Sequence, residues 1–124
     1  MTLYKAVIPL NPITKKNSQQ IIKSKGRPML IQSKRYRQYE KDCLMLLKKP
    51  REPISVPCNL RATFYRATKH RVDLSNLIEA VQDVLVKAGV LEDDNYKFVK
   101  SLDGCRVEFD KNNPRTEIEI EEVE

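Results

Sequence analysis

The sequence predicts a single α+β domain, a mixed or antiparallel sheet with two main helices packed on it, and three observations carry that expectation. Short β-prone runs with period-two alternation open and close the chain. Two longer runs repeat apolar residues at spacings of three and four, and prolines and glycines separate the runs. With 124 residues, 40% of them hydrophobic, the chain can bury one modest core but hardly two, so residues 1–124 read as one domain.

Leu3 to Pro9 carries Tyr4, Val7 and Ile8 in loose alternation and predicts a first strand, closed by the turn Pro9-Leu10-Asn11-Pro12. Ile21-Ile22 and Met29-Leu30-Ile31 flank Lys23 to Pro28, the pattern of a hairpin with Gly26 in its turn and a cationic tip. Ser33 can cap a helix running to Lys48, because Tyr36, Tyr39, Cys43, Leu46 and Leu47 recur at helical spacing. That phase assigns both tyrosines to packing rather than to base stacking. Pro50, Pro53 and Pro57 end the helix, and Cys58 to Arg66 follows as a strand with Leu60, Ala62 and Phe64 on one face. Asp73 then stands where a helix N-cap is wanted, ahead of the stripe Leu74, Leu77, Ile78, Val81, Val84, Leu85 and Ala88, with Gly89 as the stop. Beyond the acidic turn Glu92 to Asn95, Tyr96 to Leu102 predicts a strand, Asp103-Gly104 a turn and Cys105 to Phe109 another strand. Thr116 to Val123 alternates Ile118, Ile120 and Val123 with glutamates, as a half-exposed strand does.

No stretch approaches the roughly 18 apolar residues of a membrane helix, and Met1 to Leu10 lacks the apolar run of a secretory signal, so the expected location is the cytoplasm, with no membrane partner. Cys43, Cys58 and Cys105 are odd in number and widely spaced, which fits neither a disulfide framework nor a zinc site. Cysteine catalysis would need a base, and the sole histidine is His70.

The net charge of +6 divides unevenly. Residues 1–51 hold 13 Lys and Arg against 2 acidic residues, a net +11, whereas residues 52–124 hold 10 against 15, a net −5. The basic part suits phosphates; the acidic part, with its clustered aspartates, suits a divalent cation. Candidate phosphate contacts are Lys15-Lys16-Asn17, the hairpin tip with Lys23, Lys25 and Arg27, the helix face Lys34-Arg35-Arg37, and Lys69 and Arg71 just ahead of Asp73. Such contacts position a nucleic acid without reading its sequence. Arg115 is expected to pair with glutamates, while Arg106 could serve either purpose.

Three aspartates, Asp73 and the Asp93-Asp94 pair, bracket the second helix. At about 100° per residue, Asn76 and Asp83 share the face of Asp73, a ridge of oxygen ligands of the kind Mg²⁺ or Mn²⁺ prefers. Taken singly, Asp73 is also an ordinary cap, Asp83 a solvated helix residue and Asp93-Asp94 an ordinary turn. A helix this long spans roughly 24 Å, so its two ends meet in one site only if the chain folds back along it. Otherwise a second copy completes the site, or there are two sites.

The run Asp73-Leu74-Ser75-Asn76-Leu77, then Asp83, then Lys87-Ala88-Gly89-Val90-Leu91-Glu92-Asp93-Asp94 resembles the RusA Holliday-junction resolvases. Their pattern is an Asp-x-Asp-Asn-Leu helix start, a mid-helix Asp and a Gly-Val-x-x-Asp-Asp turn, and the spacing here matches without a gap. The resemblance implies a homodimeric, Mg²⁺-dependent endonuclease that cuts four-way DNA junctions by paired nicks in recombination and repair, often encoded by phages and prophages. It places the catalytic aspartates on Asp73 and Asp94, with Asp93 adjacent. Metal ligands are then expected among Asp73, Asp94, Asp93 and Asp83, with Ser75 or Asn76 contributing a neutral oxygen or orienting a water. Two departures stand out: Ser75 replaces the second aspartate of the helix start, and Glu79 replaces a basic residue. They keep a non-catalytic junction-binding module of the same fold as the alternative, with an RNA-binding protein behind it.

Overall fold

The computed structural model describes residues 1–15, 19–24, 27–32 and 34–124, the two middle stretches as backbone. Its elements are β1 (Thr2–Ile8), β2 (Gln19–Ser24), β3 (Arg27–Gln32), α1 (Lys34–Leu46), β4 (Cys58–Arg66), α2 (Leu74–Lys87), β5 (Val99–Ser101), β6 (Arg106–Phe109) and β7 (Arg115–Glu122). β7 lies between β1 and β4 and runs antiparallel to both; the far edge of β4 carries β5 and β6, both parallel to it. The sheet is mixed and the domain is α+β, as the alternating runs predict. β2 and β3 form a separate antiparallel pair from Gln19 opposite Gln32 to Ser24 opposite Arg27. The expected turn residue Gly26 and the Ser33 cap lie outside the described residues.

Alternation assigns the two faces of the sheet. Leu60, Ala62 and Phe64 of β4 stand in register with Ile120, Ile118 and Thr116 of β7, and all six are buried. Over them α2 lays Leu77, Val81, Val84 and Leu85, and α1 adds Cys43, joined by Leu47 just beyond its end. Each large aliphatic or aromatic side chain buried this way contributes about 1.5–3 kcal/mol. Tyr36 is buried and Tyr39 partly so against the core, their ring centroids 6.0 Å apart, as their phase requires. The opposite face exposes a charged lattice, in which Arg61 pairs with Glu119 across β4 and β7. Cys43 and Cys58 are buried free thiols; burial pushes Cys43 up to about 11 and raises Cys58 and Cys105 as well, which suits packing rather than nucleophilic roles.

Two expectations are corrected. Leu46 is half exposed and Leu47 takes the inward position, because α1 ends at Leu46 and one further bond, Leu47 N–H to the Cys43 carbonyl at 3.0 Å, turns the next side chain in. After the acidic turn the expected strand from Tyr96 shrinks to Val99–Ser101. Asn95 instead nucleates a helical turn: its carbonyl accepts the Phe98 and Val99 amides at 3.0 and 2.9 Å and its side chain accepts the Lys97 amide at 2.9 Å. β5 and β6 do not pair with each other, since α2 carries the chain back to the start of β4 and both then run alongside it in the same direction. Gly104, at φ +90°, makes the step between them beneath the Arg61 side chain.

Candidate active site

The expected carboxylates sit at two levels of α2 and in the turn beyond it. Asp73 has an extended backbone (φ −90°, ψ 127°), and its carbonyl accepts the amides of Asn76 at 3.1 Å and Leu77 at 3.3 Å, which makes it the helix N-cap. Its carboxylate caps no backbone amide; it stands exposed and meets the Asn76 side-chain nitrogen at 3.4 Å. Ser75 is exposed beside them. The start of the helix therefore presents one carboxylate, one amide and one hydroxyl to solvent.

Ten residues on, about 15 Å along the axis, Asp83 belongs to a different environment. Its carboxylate takes the Lys15 ammonium in an ion pair that ties the N-terminal loop to α2. Burial raises the Tyr36 hydroxyl, and the charges of Glu40, Asp83 and Glu79 add to the effect, so this side of α2 is the seam against α1. Lys87 and Glu40 close the same seam at 2.9 Å.

Past the helix, Gly89 adopts φ +77°, the left-handed conformation that ends a helix without a Cβ penalty. The Val90 and Leu91 amides then fold back on the Leu85 carbonyl at 2.9 and 3.2 Å, and Ile54 bonds Val90 and Glu92 at 2.8 and 3.0 Å, which anchors the acidic turn. Within it the two aspartates divide their roles. Asp93 accepts the Asp94 amide at 2.8 Å and the Asn95 side-chain nitrogen at 2.9 Å, and these bonds hold it below the usual carboxylate range. Asp94 is pushed above that range, first by burial, then by its contact with Asp93 and by the negative charges of Asp93 and Asp83. Asp93 builds the turn and Asp94 is the carboxylate it presents.

Among the described residues, no three His, Cys, Asp or Glu side chains gather closely enough to hold a metal ion by themselves. Asp83, Asp93 and Asp94 are linked through their fields, while Asp73 stands with Asn76. Of the expected phosphate contacts, Lys15 is engaged by Asp83, Lys69 lies 5.0 Å over the Phe109 ring, and Arg71 is exposed. Lys16, Asn17 and Lys25 lie outside the described residues, as do the side chains of Lys23 and Arg27. Arg115 pairs with Asp110 at 2.9 Å and Glu117 at 2.8 Å and stacks on Tyr65, and Arg106 lies 3.5 Å from Glu108. Sequence reasoning missed the Lys15–Asp83 tie and the organising role of Asn95. Only complementary charge signalled the first; the Asx-rich composition of residues 93–95 was a usable signal for the second.

A family model described as Endodeoxyribonuclease RusA matches residues 9–121, a span that includes both ends of α2. No curated protein matches the chain. No helix among the described residues is long and apolar enough to cross a membrane.

Proposed function

Since the chain belongs to the RusA endodeoxyribonuclease family, whose activity is directed at branched DNA junctions, we propose that it is a Mg²⁺-dependent, structure-selective nuclease that nicks four-way junctions. Asp73 and Asp94 are its principal carboxylates. The observation that carries the site assignment is Asp94: a carboxyl raised by partial burial and by two negative neighbours is a concentration of charge that a divalent cation would offset. The donors fit a hard cation. Asp73, Asn76 and Asp94 offer oxygen only, and Mg²⁺ commonly takes one or two carboxylates and completes its shell with water and substrate phosphate.

Asp94 and Asp73 would hold Mg²⁺ or Mn²⁺, with Asp83 and Asp93 adding negative charge nearby. Bound there, the ion supplies Lewis acidity toward the phosphate and a water of lowered pKa. The chain's own share is positional: Asn76 and Ser75 orient a water by hydrogen bonding, and Lys69 and Arg71 draw the strand toward Asp73. A homodimer would set two such sites against a two-fold symmetric junction and would let a second copy bring its carboxylates to the first.

The test is nicking of a synthetic four-way junction, with duplex and single-stranded DNA alongside, in Mg²⁺ or Mn²⁺. Asp73→Asn and Asp94→Asn should each lose nicking and retain junction binding; full activity in both overturns the assignment. The second candidate function is junction binding without cleavage, favoured by Ser75 at the helix start and by the engagement of Asp83 with Lys15. It predicts salt-sensitive binding and intact junctions under every divalent ion.

A further inference from the structure

Phe109 closes β6, the outer strand beside the last residues of β4. In that register Val107 stands next to Phe64 and Phe109 next to Arg66, and the Arg66 carbonyl holds the Asp110 amide at 2.9 Å, which fixes the end of the strand. Val107 and Phe109 are two residues apart, so they share the face of the sheet that carries the helices. On β4 that face is closed, and Phe64 is 2% exposed. On β6 it is open: Val107 is 37% and Phe109 47% exposed. The ring is met by a cation, the Lys69 ammonium, 5.0 Å from its centroid.

The surroundings select the kind of molecule that fits this ring. Lys69 belongs to the loop from Arg66 to Arg71, and the sequence contains no Asp or Glu from Pro53 to Val72. The carboxylates on either side of Phe109 are turned to other tasks. Asp110 accepts Arg115 at 2.9 Å and the amides of Asn112 and Asn113 at 3.2 and 3.1 Å, and Glu108, on the opposite face, lies 3.5 Å from Arg106. An apolar peptide would match the ring but not the cations; a nucleic-acid base with its phosphate matches both. The place is also defined relative to the site. Asp73 follows Lys69 by four residues, so their Cα atoms are at most about 14 Å apart.

We infer that Phe109 is a base-stacking residue: its ring packs on a base face left bare at the branch point of a four-way junction, while Lys69 holds the adjoining backbone phosphate. The inference rests on the nuclease function proposed above and adds a source of selectivity for branched over continuous DNA. Wedging an aromatic ring into duplex DNA costs the unstacking of a base step. At a branch point the stack is already interrupted, so the ring gains its contact at smaller cost.

The test uses the full chain without divalent ions, so that binding is read apart from cleavage. The chain contains no tryptophan, so Phe109→Trp supplies the sole indole while keeping a stacking ring. Its emission should be quenched by a four-way junction and less by duplex of the same arm sequence. Phe109→Leu keeps apolar bulk without the ring and should bind the junction about tenfold more weakly, with duplex affinity and the slope of log affinity against log salt unchanged. Lys69→Gln should instead lower that slope by about one. Phe109→Leu that retains the parent's preference for junction over duplex, together with indole emission unmoved by the junction, overturns the stacking and leaves the nuclease function standing. A parent that binds junction and duplex alike, while single-stranded DNA quenches the Phe109→Trp emission, overturns that function and leaves a base-stacking site.

Discussion

The two ends of α2 differ in the sign and in the construction of their charge. The approach to its start is cationic, and among the described residues Lys69 and Arg71 take part in no ion pair, with a single exposed carboxylate at Asp73. The turn after its end is anionic and tightly wired, with Asp93 spent on the local backbone so that Asp94 is held in place. Each end thus offers one carboxylate, and only the first sets it among cations that suit a phosphate. The difference shows that the charge count of a segment says less than which of its charges already have partners.

The largest expected effect tests that division directly. Asp73→Asn and Asp94→Asn should each reduce single-turnover nicking by roughly 10²–10³, yet move stability in opposite directions. Loss of the Asp94 charge removes a repulsion and should raise the thermal midpoint. Loss of the Asp73 charge at the positive helix end should lower it by roughly 1–3 °C. Midpoints shifting the same way would break the comparison. Next in size is Ser75→Asp, which restores a carboxylate beside Asp73 and should cut the Mg²⁺ concentration for half-maximal nicking by about tenfold.

A smaller effect is a displacement in pH. The Asp94 carboxyl is raised, so its ionised form, the one a metal needs, is lost early as pH falls, and nicking should fall with it. Asp83→Asn removes one of the negative charges responsible and should move that fall to lower pH; a pH–rate profile left in place would detach Asp83 from the site. Ionised Asp94 costs stability above its folded pKa, and the cost fades as pH drops toward its unfolded value, so mild acid should not weaken this turn. The smallest change is Gly89→Ala, which forces a Cβ into the left-handed region and against Lys49 Cε at 2.9 Å, at a cost of about 1 kcal/mol. It should lower the thermal midpoint and disturb the Asp94 end while sparing DNA binding at the other.

Much of this was legible in the chain. The stripe from Leu74 to Leu85 and its Gly89 stop announced α2, because a helix packed on a sheet needs one continuous apolar face. Asp73 could be placed as its cap for the same reason. What escaped depends on contacts distant in sequence. Lys15 and Asp83 are 68 residues apart, and no local pattern relates them. Val99 to Ser101 were placed in a strand, but Asn95 bound its own following turn more strongly than Tyr96 and its neighbours favoured extension. The different duties of Asp93 and Asp94, identical in type and adjacent, emerge only from which amides each one reaches.

The split edge of the sheet also bears on how the protein behaves in a crowded solution. β5 and β6 are three and four residues long and are separated by the Gly104 step, so the outer rim beyond β4 presents no long row of free amides and carbonyls. A neighbouring chain would find too short a template there to add a strand, which is a common protection against edge-to-edge aggregation. Self-association through this rim is therefore disfavoured, and any stable pairing of two copies must use another surface.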